Sequence, residues 1–307
     1  CPSCIILPIK VGWNAGGGDV VIDSGAVYKA LEFAVNNPQG IEGIPANPYF
    51  ADVISMSIAF TNNIPLLQEG VLDAYNAGAV LVAAAGNNNN SSYIYPAAYN
   101  EVIAVAATDK NDVKANYSNY GTWVDIAAPG DAMTTYLNNN YAGGSGTSFS
   151  TPFVAGVAGL MLSRSNAVLT ATQIRQILID TSDPVSGFPA IAGGRVNAYQ
   201  VLATNIAPIM TSIGNKIIKV NKLLTIDVNA SDGNGDNLIY STNAVDVLPD
   251  SFSFDSQTGV FSWRPTLDDV GQYAVTFTVA DGRGGFDSEI IFIRVIEKIV
   301  RAIREYE

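Results

Sequence analysis

The sequence predicts an α/β domain, a mostly parallel sheet flanked by helices, followed by a smaller all-β sandwich. Three observations carry this prediction. Up to about Asn205, short apolar runs alternate with longer stretches whose apolar residues recur every three or four positions, as strands alternating with covering helices do. From about Ile206 the pattern becomes polar and apolar alternation broken by "DGNGD", "SQTG" and "DGRGG", as in antiparallel strands joined by turns. The 307 residues, 48 % of them apolar, suffice for one large core and a second, smaller one. The expected division is a first domain over 1–205, a linker at 206–212, a sandwich over 213–296 and a tail with helical spacing at 297–307.

The elements follow in order. "SCIILPIKV" is the first strand candidate, and "AVYKALEFAVNN", Ala26 to Asn37, has the spacing of a helix. "DVISMSIAF" reads as the next strand, "NIPLLQEGVLDAYNAG" as the next helix, and "AVLVAAAGN" as a buried strand ending in glycine and asparagine. "EVIAVAATD" and "WVDIAAPG" continue the strand series. "TPFVAGVAGLMLSRS" reads as a buried helix in which Ala155, Gly156, Ala158 and Gly159 permit close packing at some cost in helix propensity. Pro152 is expected in its first turn, where a missing N–H costs nothing. "TATQIRQILIDTS" is an amphipathic helix with Thr170 as its N-cap. In the second region Trp263, between Phe261 and the turn-forming Pro265, is expected in the core.

Charge narrows the partners. With 28 acidic and 16 basic residues the net charge is -12, and no long Lys/Arg cluster interrupts it, so nucleic acid and anionic membranes are disfavoured. No continuous apolar stretch reaches the roughly 18 residues of a membrane span. Cys1 and Cys4 form a C-x-x-C with no second pair and no histidine to complete a zinc site. They read as structural or incidental thiols, with a local disulfide or redox pair, and then a metal, as the alternatives.

The stretch "GGSGTSFSTPFVAG", Gly143 to Gly156, places Ser148 between a glycine-rich approach and a helix. A strand-to-helix elbow presents a hydroxyl in that way. A hydrolytic serine needs a base to take its proton, and this chain has no histidine.

Several separated motifs resemble, in order, those of the subtilisin-like serine proteases. "DVISMSIAF" resembles the strand lining the substrate groove, "VLVAAAGNNNN" the oxyanion-asparagine segment, and "YPAAYNEVIAVAATD" and "ANYSNYGTWVDIAAPG" two scaffold motifs. "GTSFSTPFVAGVAGL" resembles the nucleophile motif with its helix. The resemblance implies a subtilisin-like fold, Ser148 as nucleophile and Asn87 as oxyanion donor. The family's two earlier motifs, an aspartate strand and a histidine helix, would precede "CIILPIKV" and do not occur in this chain. "VVIDSGAV" holds the letters D-S-G, but Asp23 leads straight into a helix and no H-G-T-H follows it, so it reads as a cap or a solvent-facing residue. None of Lys110, Lys114 and Lys216 announces itself as a substitute base.

The implied activity is serine endopeptidase chemistry through an acyl-enzyme, with no cofactor required, and with this chain inactive alone. Three accounts fit: the C-terminal product of a processed precursor whose Asp- and His-bearing N-terminal fragment is a separate partner, a shortened chain, or a catalytically inactive peptide-binding or cell-surface scaffold. The implied substrate is a peptide or protein, paired by strand addition beside Ser57, Ile58, Ala59, Phe60 and Ala83 to Gly86, including Ala85 and Gly86. The family usually has two glycines where Ala59 and Phe60 stand. Phe60 therefore unsettles any transfer of the family's specificity, whose default is an apolar or aromatic P1 residue. "YPAAYNEV" resembles a loop that binds a monovalent cation or calcium through carbonyls in relatives.

The second region resembles the cadherin-like, immunoglobulin-type modules of large secreted or surface proteins, which implies a secreted or cell-surface setting. Asp232, Asn234 and Asp236 stand two apart with glycines between them, so their oxygens can converge on a hard cation, and a structural calcium is expected there if anywhere. The same letters also make a good hairpin turn. Asp281, before "GRGG", reads as a turn residue.

Overall fold

A computed structural model describes residues 4–16, 19–35, 49–164, 169–249 and 252–297. The chain divides into two compact units, one holding Cys1–Ser163 and Leu169–Thr204, the other Asn205–Glu307 with the short segment Arg164–Val168. The tail expected over 297–307 lies outside the described residues beyond position 297, and so does Cys1.

In the first unit a hairpin, β1 (Gly12–Gly16) and β2 (Asp19–Ile22), leads into α1 (Ser24–Val35). Then come β3 (Val53–Met56), α2 (Pro65–Asn76), β4 (Val80–Ala84), β5 (Val102–Thr108) and β6 (Ile126–Pro129). These four strands form one parallel sheet in the order β3-β4-β5-β6. Every residue of β4 and β5 is buried, as their unbroken apolar text requires of strands covered on both faces. α1 and α2 pack on one another and on the sheet through Val27, Leu31, Leu67, Val71, Ala74 and Leu81. A Cβ at Gly70 would come within 3.0 Å of the Tyr28 ring, so glycine sets the approach of the two helices.

Beyond the sheet, β7 (Asp131–Tyr136) and β8 (Asn140–Ser145) form an antiparallel hairpin around a short 3-10 turn, Leu137–Asn139. Met133, Tyr136, Leu137 and Tyr141 are exposed on it. Strand β8 runs directly into α3 (Thr147–Arg164), followed by α4 (Ala171–Asp180) and α5 (Ala198–Ala203). Thr170 caps α4 reciprocally: its hydroxyl accepts from Gln173 N while the Gln173 side chain accepts from Thr170 N.

Four local expectations change. "SCIILPIKV" is not a strand: residues 4–11 have no regular structure, and Ile5 and Ile6 are 80 % and 87 % exposed. An apolar run becomes a strand only where a neighbour pairs with it, and among the described residues none does. Among the described residues, nothing lies within 4 Å of a Cβ placed at Gly156, and one placed at Gly159 meets Cys4 Sγ at 3.9 Å, so these two glycines mark no tight helix contact there. Pro152 stands inside α3, because the helix begins five residues earlier, at Thr147. Cys4 is disulfide-bonded rather than a free thiol.

The second unit is a two-sheet sandwich. Its strands are β9 (Ile209–Met210), β10 (Lys216–Lys219), β11 (Leu224–Asp227), β12 (Ala230–Ser231), β13 (Ile239–Thr242), β14 (Phe252–Phe254), β15 (Val260–Trp263), β16 (Gly271–Ala280) and β17 (Phe286–Ile296), with a short helix α6 (Ala244–Val247) after β13. One sheet runs β10-β17-β16-β13 and the other β11-β15-β14, with β9 and β12 paired at the entry. Inward residues alternate along each strand and meet in a core of Phe261, Trp263, Val275, Phe277, Ile291 and Ile293, all at most 1 % exposed.

Candidate active site

Ser148 is the second residue of α3, half buried, at the elbow where β8 becomes the helix. The turn depends on Gly146, whose φ of 149° is unfavourable for any side chain. Its N–H donates to Gly130 O at 2.9 Å, and its carbonyl receives Phe149 N at 2.9 Å. In the first helical turn, amide N–H groups have no intrahelical acceptor, so the N–H of Ser148 is available to a ligand. Ser150 Oγ donates to Ala128 O at 3.0 Å and ties the same turn to β6.

Asn87 follows β4 on an exposed turn. Its Oδ1 accepts from both Thr147 N, at 2.9 Å, and Thr147 Oγ1, at 3.0 Å. The carbonyl end of the amide is therefore turned to the helix start, which leaves its NH2 as the group for an incoming oxygen. The turn itself hangs on Asn119. That side chain is buried, donates to Ala85 O at 2.9 Å and accepts from Asn88 N at 2.9 Å and Asn90 N at 3.3 Å. Gly86, at φ 103°, has no room for a Cβ, which would stand 2.6 Å from Asn119 Nδ2. Sequence reading missed Asn119 and Thr147. Their signals, "YSNYG" and the threonine before Ser148, are ordinary text until the fold brings them to the turn.

Pro152 explains a further link. Lacking an N–H, it cannot bond the carbonyl four residues back, which is that of Ser148. That carbonyl instead accepts from Ser57 Oγ at 2.9 Å. The helix start is thus fastened to the segment leaving β3.

Among the residues read as flanking a substrate, Ser57, Ile58 and Ala59 follow β3 outside any regular element, and among the described residues no hydrogen bond engages their backbone. Phe60 is half buried against the first core and pairs its backbone with Tyr95 in both directions, at 2.7 and 2.9 Å. Ala85 and Gly86 are buried with their backbone groups engaged by Val105, Asn119 and Thr147. Among the described residues, backbone groups are thus unengaged at Ser57 to Ala59 and engaged at Phe60, Ala85 and Gly86.

Asp23 serves as a helix cap, accepting from Ala26 N at 2.9 Å. Lys114 is held by Asn89 Oδ1 at 2.7 Å and by Ala115 O, and burial pushes its ammonium below the usual lysine range. Lys216 donates to Ile213 O in the other unit. Both ammonium groups are thus engaged within their own units.

In the second unit Asp232, Asp236 and Asp281 bring carboxylate oxygens together, each within 4.8 Å of the others. Asn234, expected with the first two, instead accepts through Oδ1 from Ile206 N at 2.5 Å. Asp281, read as a turn residue, both shapes its turn and joins the carboxylates.

Residues 1–235 match the subtilase family and residues 207–296 a putative Ig domain. The chain is 42 % identical over 203 residues to thermitase of Thermoactinomyces vulgaris, covering 66 % of each protein. It is 44 % identical over 154 residues to a thermophilic serine proteinase of Bacillus sp. AK1, covering 50 % of this chain and 38 % of that one. Both matches span less than two thirds of the relative's own length. Among solved structures, proteases from Pseudoalteromonas arctica PAMC 21717 align with a TM-score of 0.55 at 31 % identity, covering 59 % of each chain.

Proposed function

Because the chain belongs to the subtilase family, we propose that it is the part of a subtilisin-type serine endopeptidase that carries the nucleophile Ser148 and the oxyanion donor Asn87. Ser148 Oγ attacks the peptide carbonyl, and the resulting oxyanion is received by the Ser148 N–H and the Asn87 NH2. A base takes the serine proton and returns it to the leaving amine, after which water hydrolyses the acyl ester. With no histidine among the 307 residues, base and orienting carboxylate are supplied by polypeptide outside them, the N-terminal part of the same precursor. This chain is inactive without it. A peptide or protein substrate pairs along Ser57 to Ala59.

The observation that carries the reading is the pair of hydrogen bonds from Thr147 to Asn87 Oδ1, which orients an amide donor beside the helix-start amide of Ser148. A secreted or cell-surface setting accords with the Ig-type module and with the disulfide at Cys4, since disulfides persist in oxidising compartments.

The test is fluorophosphonate labelling and peptide cleavage by the homogeneous chain, alone and with a polypeptide carrying the family's aspartate and histidine motifs. We expect neither activity alone, both in the mixture, and loss of both on Ser148→Ala. Labelling that survives Ser148→Ala overturns the nucleophile. Brisk cleavage by the chain alone overturns the need for a second polypeptide. Persistent inertness of the mixture, with peptide still bound at Ser57 to Ala59, favours the non-catalytic scaffold.

A further inference from the structure

We propose that Lys114 is a positioning residue for Asn87: its ammonium pins the turn 87–90 and so sets where the oxyanion donor stands. The inference rests on the proposed role of Asn87 as that donor. The turn lies outside any helix or strand, and one short segment, 114–120, holds it residue by residue. Asn119 Oδ1 accepts from Asn88 N at 2.9 Å and Asn90 N at 3.3 Å, the Tyr117 carbonyl accepts from Asn89 N at 2.8 Å, and Tyr120 N donates to Asn90 O at 3.1 Å. Asn89 stands at the centre of this clasp with φ 51°, in the left-handed region that side chains disfavour. Such a conformation persists where its neighbours fix it.

The fixing contact is Lys114. Its Nζ donates to Asn89 Oδ1 at 2.7 Å, shorter than any of the clasp's other bonds. A second N–H goes to the Ala115 carbonyl at 3.2 Å, and the ammonium stands 5.5 Å from the centre of the Tyr120 ring, within the roughly 6 Å at which a ring face attracts a cation. One charged group thus grips the turn through Asn89 and its own segment through Ala115 and Tyr120. Among the described residues no carboxylate pairs with it. A partly buried ammonium without a countercharge costs the fold stability, in accord with its lowered affinity for the proton. The neutral side chain would suit the fold better, so the use of the charge lies in what it holds.

The test follows the Asn87 side-chain amide by nitrogen-15 NMR in the intact chain alone, where no activity is needed, with Asn87→Asp assigning the cross-peak by removing it. Lys114→Met keeps the stem and removes the charge. We expect its urea midpoint to hold or rise while the Asn87 cross-peak moves, that of Asn205 in the other unit stays in place, and Lys114→Arg restores the parent position. Asn89→Gly, which suits φ 51° and removes the acceptor, should move the same cross-peak, and adding Lys114→Met to it should move it no further. In the mixture that tests the proposed function, Lys114→Met should lower kcat about three- to tenfold with KM unchanged, as the weakening of an interaction made only in the transition state does. If Lys114→Met does not fold, Asn89→Gly carries the comparison. An Asn87 cross-peak unmoved in the folded variants makes Lys114 a structural residue and overturns the proposal, as does an unchanged kcat in an active mixture. An inert mixture with the cross-peak displaced counts against the proposed function and still supports Lys114 as the residue that places Asn87.

Discussion

At the scale of single residues, the candidate site is set by side chains that hold its donors in place. Thr147 holds the Asn87 amide through two hydrogen bonds. In the mixture that tests the proposed function, Asn87→Ala should lower kcat by about 10²–10³-fold, the range known for removing such a donor in a member of this family. Thr147→Ala should lower it less, because Thr147 N still bonds Asn87 Oδ1. Equal losses in the two variants would show that the hydroxyl, rather than the backbone amide, orients Asn87. Ser57→Ala removes the bond that meets the carbonyl freed by Pro152, at a cost of about 1 kcal/mol. Urea unfolding of the chain reads that loss without any need for activity.

At the scale of elements, α4 is tied to the residue just before β6 by a half-buried ion pair that comes at a cost. Asp125, 5 % exposed at the side chain, receives the Arg175 guanidinium and the Ala104 N–H. Burial pushes its carboxyl above the usual range, and Arg175 and Ala104 only partly restore it. A carboxyl raised on folding lends stability below its unfolded value and loses it as pH rises through the raised one. Arg175→Ala should therefore cost about 3 kcal/mol near neutral pH, low for a broken buried pair because Arg175 is 32 % exposed, and less at pH 4. Denaturant midpoints at the two pH values check both parts. In the sandwich, Phe261→Ala should cost about 3–5 kcal/mol, since Phe261 is fully buried between Phe252 and Phe277.

The same scale shows what the sequence could tell. β4, β5, α2 and α4 were legible because their apolar periods match one environment along their whole length, and Thr170 was legible because its cap is local. "SCIILPIKV" was not, since periodicity records which residues are apolar and says nothing of whether a partner strand lies alongside. The hairpin of β7 and β8 went unread because its exposed apolar side chains give no clean alternation. Ser148 and Asn87 were readable as motif letters. Asn119, 32 positions after Asn87, becomes part of the site only through the fold.

At the scale of the whole molecule, the acidic excess governs behaviour at low pH. Backbone donors hold Asp109, Asp255 and Glu289 below their ordinary values of 3.8, 3.8 and 4.5, and the Asn197 and Arg195 side chains do the same for Asp183. A depressed carboxyl contributes stability above its unfolded value and loses it as pH falls through the folded one. The chain should therefore become less stable as pH drops below about 4, after its net charge has passed through zero near the isoelectric point of 4.3. A scan of unfolding and light scattering from pH 6 to 3 should show solubility failing first, and unchanged stability across that range would contradict the assignment of these carboxylates. The exposed hairpin before Ser148 has one more consequence, for oxidants. Met133 is 73 % exposed, whereas Met56 and Met161 are buried and the residue following Ser148 is a phenylalanine. Peroxide should place its first sulfoxide on Met133 and leave the neighbour of Ser148 untouched, so that bleaching would mark the ribbon long before it reached the elbow.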